Sequence, residues 1–191
     1  MSNKIKVVFM LFVIVVVTIA CGSSDEVTVK PGGSDSNGTQ PTEAVKEEEP
    51  VGTVRSNPAP KGYVITADNM DFEILETIRP ADEIVMAGNQ FNTKPEEGYQ
   101  YLFIKLQVKC NKSTDDTCSV SPFNFEMIGD EGIIYSAEWM LAGVEGMLET
   151  KEFYGGATVS GYVAFVVKAS DSALVFTYDP LLGDNFYMRV E

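Results

Sequence analysis

The chain contains no histidine among its 191 residues. That absence excludes Ser-His-Asp and Cys-His nucleophilic arrangements and every histidine-ligated metal centre. Basic residues are scarce too: 14 Lys and Arg stand against 28 Asp and Glu, for a net charge of −14. Nucleic-acid affinity rests on cationic side chains displacing condensed counterions, so no nucleic-acid partner is expected. The same imbalance argues against adhesion to anionic headgroups and favours solubility. No glycine-rich loop ending in lysine is present to cradle phosphate. The carboxylate pairs Asp82-Glu83, Glu96-Glu97 and Asp115-Asp116 fall in stretches that read as solvated loops. No catalytic residue is assigned, no cofactor is expected, and the chain reads as a non-enzyme.

Long apolar runs are missing as well. The greasiest stretch, Val7 to Ile19, is shorter than the about 20 residues that cross a bilayer. It follows Lys4 and Lys6, ends in Thr18-Ile19-Ala20-Cys21, and gives way at once to Gly22-Ser23-Ser24-Asp25. A charged start, a short apolar core and a small residue before a cysteine make an export signal. The segment resembles a bacterial lipoprotein signal, with Thr18 where an aliphatic residue is usual. The resemblance implies a signal peptide over residues 1–20 and a lipidated Cys21. It places the protein at the cell membrane or outer membrane, on the extracytoplasmic side. An uncleaved signal anchor and plain secretion are the alternatives. Cleavage would remove Lys4 and Lys6 and no acid, moving the net charge from −14 to −16.

Only two further cysteines exist, Cys110 and Cys118, on either side of a short polar loop. An exported protein can keep disulfides. A structural bridge is expected if geometry lets the two meet. A redox pair is the other option, but Lys109 and Lys112 are offset by Asp115 and Asp116, so nothing nearby depresses a thiol pKa.

Residues 21–60 are rich in Gly, Ser, Asp, Glu, Thr and Pro and poor in large apolar side chains. They read as a flexible linker that buries no core. A free tether of this length spans roughly 30–40 Å r.m.s.. Residues 61–191 read as one domain, and their dominant period is two. Leu102, Ile104, Leu106, Val108 and Cys110 share one parity, with Lys105, Gln107 and Lys109 on the other. The same alternation marks Phe72, Ile74 and Ile78; Phe123, Phe125 and Met127; Val159 to Val167; Leu174 to Tyr178; and Phe186 to Val190. Gly129-Asp130-Glu131-Gly132 between two such runs predicts a hairpin turn. Six to eight strands of this kind predict an all-β chain folded as an antiparallel β-sandwich. Only 137–148 has room for a short helix. Trp139, the one tryptophan, lies there with Met140 and Leu141. It is expected to fill one end of the core; the alternative is that it heads a partner-binding patch.

The segments Gly98 to Val108, Phe125 to Gly132 followed by Tyr135, and Gly155 to Phe165 resemble successive strands and turns of an uncharacterised immunoglobulin-like family. That family is common in bacterial lipoproteins and is similar in fold to secreted immunoprotective antigens. Two details depart from its pattern: Cys110 precedes Asn111, and Gly155-Gly156 replaces a Pro-Gly turn. The resemblance implies an immunoglobulin-like sandwich and brings no catalytic residues. The function expected is a lipid-anchored binding or interaction module, its partner an envelope protein or extracellular ligand. A structural accessory subunit of an envelope complex is the alternative. A calcium-dependent module is another, with oxygen ligands drawn from Ser113 to Asp116 or Asp179 to Asn185. Cys21→Ser is expected to release the protein or leave an unacylated precursor; intact-mass analysis of the membrane fraction checks this, and an unlipidated wild-type chain would contradict it.

Overall fold

The computed structural model describes residues 27–31 and 50–191. The elements are β1 (Thr28–Pro31), β2 (Tyr63–Ala67), β3 (Met70–Ile78), α1 (Asp82–Gly88), β4 (Tyr99–Cys110) and β5 (Thr117–Val120). A 3-10 turn (Pro122–Asn124) leads into β6 (Phe125–Ile128) and β7 (Ile134–Ser136). Then come β8 (Lys151–Tyr154), β9 (Thr158–Lys168), β10 (Val175–Tyr178) and β11 (Phe186–Arg189). One sheet has the order β1-β2-β3-β4-β9, a second β11-β10-β6-β7, and a third pairs β5 with β8. Every ladder is antiparallel. The expected β-sandwich is therefore present.

Its core lies between the two larger sheets. Phe72, Ile74, Leu102, Ile104, Leu106, Val108, Val163 and Phe165 enter from one side; Phe125, Met127, Phe176, Phe186 and Met188 enter from the other, all buried. Phe72 sits at the centre, 4.9 Å from the ring centroids of both Tyr178 and Phe186 and 6.2 Å from Phe125. Aromatic burial on this scale dominates core energetics.

A second apolar layer covers the outer face of the five-stranded sheet. Tyr101, Phe103 and Ala164 point outward from β4 and β9 and are buried beneath Ala81 and Val85, at the start of and within α1. Leu141, Val144 and Met147 pack over the same cluster. α1 was not foreseen: Asp82 and Glu83 form its first turn rather than a loop, where acidic groups complement the helix dipole. The short helix for which 137–148 has room does not form. That segment is an irregular strap, with Gly143 and Gly146 at φ 67° and 74°. Backbone bonds fix it to β9: Glu138 N–H donates to Ala164 O at 2.8 Å and Leu148 N–H to Tyr162 O at 2.9 Å. The close approach requires Gly161, where a Cβ would lie 2.6 Å from Leu148 Cα.

Four strands escaped the sequence pattern: β1, β2, β5 and β8. β3 also departs from strict alternation. A bulge between Ile74 and Glu76 flips the parity, so Ile78 joins the outer cluster instead of sharing a face with Phe72. The linker boundary at residue 60 is corrected too. Thr28–Pro31 pairs with β2, from Thr28 opposite Thr66 to Pro31 opposite Tyr63. Farther on, Ala59 is fully buried and exchanges backbone bonds with Tyr187 and Arg189, while Gly52 O accepts from Tyr187 N–H. These contacts are made by backbone, which composition does not report. The expected signal peptide and Cys21 lie outside the described residues.

Cys110 and Cys118 form the expected disulfide, with Cα atoms 5.8 Å apart and both side chains buried. It joins the end of β4 to β5. A separate clasp joins the β6–β7 hairpin to the β9–β10 turn. The Asp130 carboxylate accepts from Ala173 N–H at 2.7 Å, Ser172 N–H at 2.9 Å and the Ser172 hydroxyl at 2.9 Å. From the other side, buried Asp171 accepts the Tyr135 hydroxyl at 2.8 Å. Gly129 is required beside it, since a Cβ there would fall 2.5 Å from Asp171 Oδ2.

Two predictions follow from these links. Cys118→Ser should lower stability by about 2–3 kcal/mol, the chain-entropy value for so short a loop, measured by denaturant unfolding. The backbone bonds from Ala173 and Ser172 hold the Asp130 carboxyl below its ordinary value of 3.8. Its contribution is therefore full above that value and is lost as pH falls through the lower folded value. Asp130→Asn should flatten the acid side of the stability profile below about pH 4, with the wild type and variant converging there.

Candidate functional site

Trp139 does not fill the core. It is 59% exposed, Met140 is 71% exposed, and Phe123 beside them is 62% exposed. Phe123 was expected in a strand with Phe125 and Met127. Instead Ser121 and Pro122 start the 3-10 turn, with the Ser121 hydroxyl accepting Phe123 N–H at 3.4 Å. Ser at the cap with Pro at the first helical position is a turn signal that the alternation masked. The turn carries Phe123 outward while Phe125 and Met127 stay buried. Trp139 is placed by the preceding residue, since Glu138 is bridged to Ala164 at the edge of β9. The two rings meet edge to face, 5.7 Å between centroids.

This aromatic pair forms one wall of a groove of about 360 Å³. Leu148 and Val163, both buried, lie at its floor, and Leu141, Val144 and Met147 close its far side. The walls are tied across one end by Ser121 and Thr150, whose hydroxyls are 2.9 Å apart. Glu138 and Glu149 line it, and no lysine, arginine or cysteine does. Tyr162 also lines the groove. Its hydroxyl donates to Glu76 at 2.8 Å, and that bond, then burial, raises its pKa. Burial, followed by the nearby charges of Glu138 and Asp82, raises that of Tyr101 beneath the strap. The structure thus brings Glu138, Trp139 and Leu141 together with Phe123 and Glu149, which sequence reasoning had not joined to them. Met140 stands exposed between Trp139 and Leu141. The arrangement offers apolar area, two aromatic faces and two carboxylates.

A second hollow of about 350 Å³, between Pro58, Ser172 to Val175, Arg189 and Glu191, has no exposed aromatic side chain in its lining. Among the described residues, no three His, Cys, Asp or Glu side chains converge as metal ligands. In the Ser113 to Asp116 loop, the Asp116 carboxylate accepts the Ser113 hydroxyl at 2.7 Å. No helix among the described residues is long and apolar enough to cross a membrane.

With the sandwich and its groove in place, the chain was compared with known proteins. The model of the family described as a domain of unknown function, DUF4352, matches residues 61–186. The chain belongs to this family. A search of curated proteins finds no match. Among solved structures, the DUF4352 chain is similar to the YjhA protein of Bacillus subtilis, at 14% identity and TM-score 0.53, over 70% of this chain and 99% of that one. It is also similar to YcdA, a candidate lipoprotein of Bacillus subtilis, at 13% identity and TM-score 0.50, over 66% of this chain and 38% of that one. MPT63, a secreted protein of Mycobacterium tuberculosis, is similar at 12% identity and TM-score 0.44, over 66% and 83% of the two chains. At such identities the likeness is one of fold.

Exposure of the only tryptophan makes the groove directly observable. Trp139 emission from the folded protein should be red and readily quenched by iodide or acrylamide. Trp139→Ala should cost less than about 1 kcal/mol of stability, as surface truncations do. A blue, quencher-resistant emission would place the ring in a protected site.

Proposed function

We propose that this DUF4352 protein is a non-enzymatic interaction module, held at the extracytoplasmic face of a membrane by acylation of Cys21. In this reading it docks a partner on the Phe123–Trp139 groove. The observation that carries the proposal is the aromatic pair left in water beside an apolar hollow. Single exposed apolar residues are ordinary on a protein surface, but a concave cluster of large ones marks a docking site. Tryptophan in such a position is the residue type most often responsible for binding energy. A groove of this volume lies at the small end of the ligand-pocket range, about 300–1,000 Å³, and suits a few side chains of a partner.

A purely structural accessory role would favour a flat apolar face or an open strand edge. The β11 edge is occupied by Gly52 and Ala59, and the β9 edge by Glu138 and Met147 to Leu148. The aromatic groove, not the strand edges, supports the docking reading: β1 and β7 end their sheets with no further strand among the described residues.

A photoreactive residue in place of Met140, in the membrane-anchored full chain, tests the proposal in intact cells. The expected result is one discrete crosslinked adduct, lost when Phe123→Ala and Trp139→Ala are combined. Adducts that persist in the double variant, or form equally from a photoreactive residue at Glu96, would overturn it.

A further inference from the structure

The groove's charge is as informative as its shape. Glu138 and Glu149 line it, and neither has an ion-pair partner among the described residues, whose ion pairs join Arg79 to Glu191 and Lys168 to Glu131. Glu76 stands behind Tyr162 through the hydroxyl bond already described. Two cations stand nearby, and neither is ion-paired with Glu138 or Glu149. Lys105 Nζ lies 5.5 Å from the Tyr162 ring centroid, and Lys151 lines the adjoining hollow with Glu149, Thr158 and Ser160. An apolar floor, an exposed indole and two uncompensated carboxylates in one concave surface ask for a ligand that is apolar and cationic together. The guanidinium of arginine meets all three demands, because its stem packs on apolar surface while its planar head stacks on an aromatic ring and hydrogen-bonds carboxylate.

We propose that the groove takes a basic segment of a partner protein. An apolar side chain sits on the Leu148–Val163 floor, and an Arg or Lys lies over Trp139 and against Glu138 and Glu149. The inference rests on the docking role proposed above for the same groove and names the chemistry of its occupant. The overall charge of −14, moved to −16 by cleavage before Cys21, would draw such a segment in from solution, and the local carboxylates would fix where it lands. A neutral glycan could stack on the same rings, but it would gain little from uncompensated carboxylates and nothing from low salt.

Trp139 emission reads the site directly, since the chain has no other tryptophan. A short tryptophan-free peptide alternating Arg and Leu is titrated into the full chain in detergent solution. The expected result is a saturable blue shift whose affinity falls about ten-fold or more between about 0.05 and 0.5 M salt. Combined Glu138→Gln and Glu149→Gln should weaken binding about ten-fold, as loss of charge-assisted hydrogen bonds does. Combined Glu96→Gln and Glu97→Gln, which removes the same charge outside the groove, should leave it within about two-fold. Equal weakening by both pairs would reduce the effect to bulk charge and overturn the inference. An equal shift with a Ser-Leu peptide, a Glu-Leu peptide or an N-acetylglucosamine oligomer would overturn it as well. If crosslinking from Met140 persists while the basic peptide fails, the basic partner alone is refuted. If both fail, the docking surface falls with it.

Discussion

Burial of both faces of β4 over Tyr101 to Ile104 is the constraint on which the rest of this structure depends. The strand pairs with β3 over Phe103 to Cys110 on one side and with β9 over Tyr99 to Lys109 on the other. Inward, Leu102, Ile104, Leu106 and Val108 are fully shielded by the second sheet. Each such side chain contributes about 1.5–3 kcal/mol relative to exposure. Outward, Tyr101 and Phe103 would face water if the domain were a two-layer sandwich alone. That second apolar face has to be covered, and α1 and the 137–150 strap cover it. The strap is thus a consequence of two aromatic residues on a strand whose other face already carries the core.

The groove is in turn a consequence of the strap. Its backbone must run close over β9, which glycine at 161 permits and which the Glu138 and Leu148 bonds hold. Leu141, Val144 and Met147 pack on the outer cluster and Leu148 on the inner core, while Trp139 and Met140 remain in solvent. Phe123 arrives from the far side on a short turn that breaks the alternation of its neighbours. Two segments 16 positions apart in sequence therefore share one surface, as the 5.7 Å between their rings records. The disulfide and the Asp130–Asp171 clasp act elsewhere, at loop junctions. They leave the Phe123–Trp139 wall free of covalent or ionic restraint among the described residues.

Much of this was legible from residue order. The period-two runs marked β3, β4, β6, β7, β9, β10 and β11, and the hairpin at Gly129 to Gly132 closes with Gly132 N–H on Gly129 O at 2.9 Å. The Cys110–Cys118 bridge could be anticipated because the two thiols are close in sequence, with Cys110 on the inward parity of its strand. Alternation is a local signal of one buried face, so it held wherever one face was buried and the strand was regular. It failed at β1 and at Ala59, which are retained by backbone pairing that any side chain allows. It failed at Ile78, because one bulged residue reverses every parity that follows. It missed α1, a seven-residue helix with one buried side chain, too short for a helical period to register.

What the sequence by itself determined is the sandwich, the disulfide, the acidic character and the absence of histidine chemistry. Composition and local periodicity suffice for these. Only the tertiary structure decided where Trp139 stands and what stands beside it. An indole in an apolar stretch has the same local pattern whether it is buried or exposed. The difference lies in whether another element covers it. Here the strap packs onto the sheet after Met140, and the chain that approaches Trp139 from the other side brings Phe123 against it and leaves more than half of the indole in solvent.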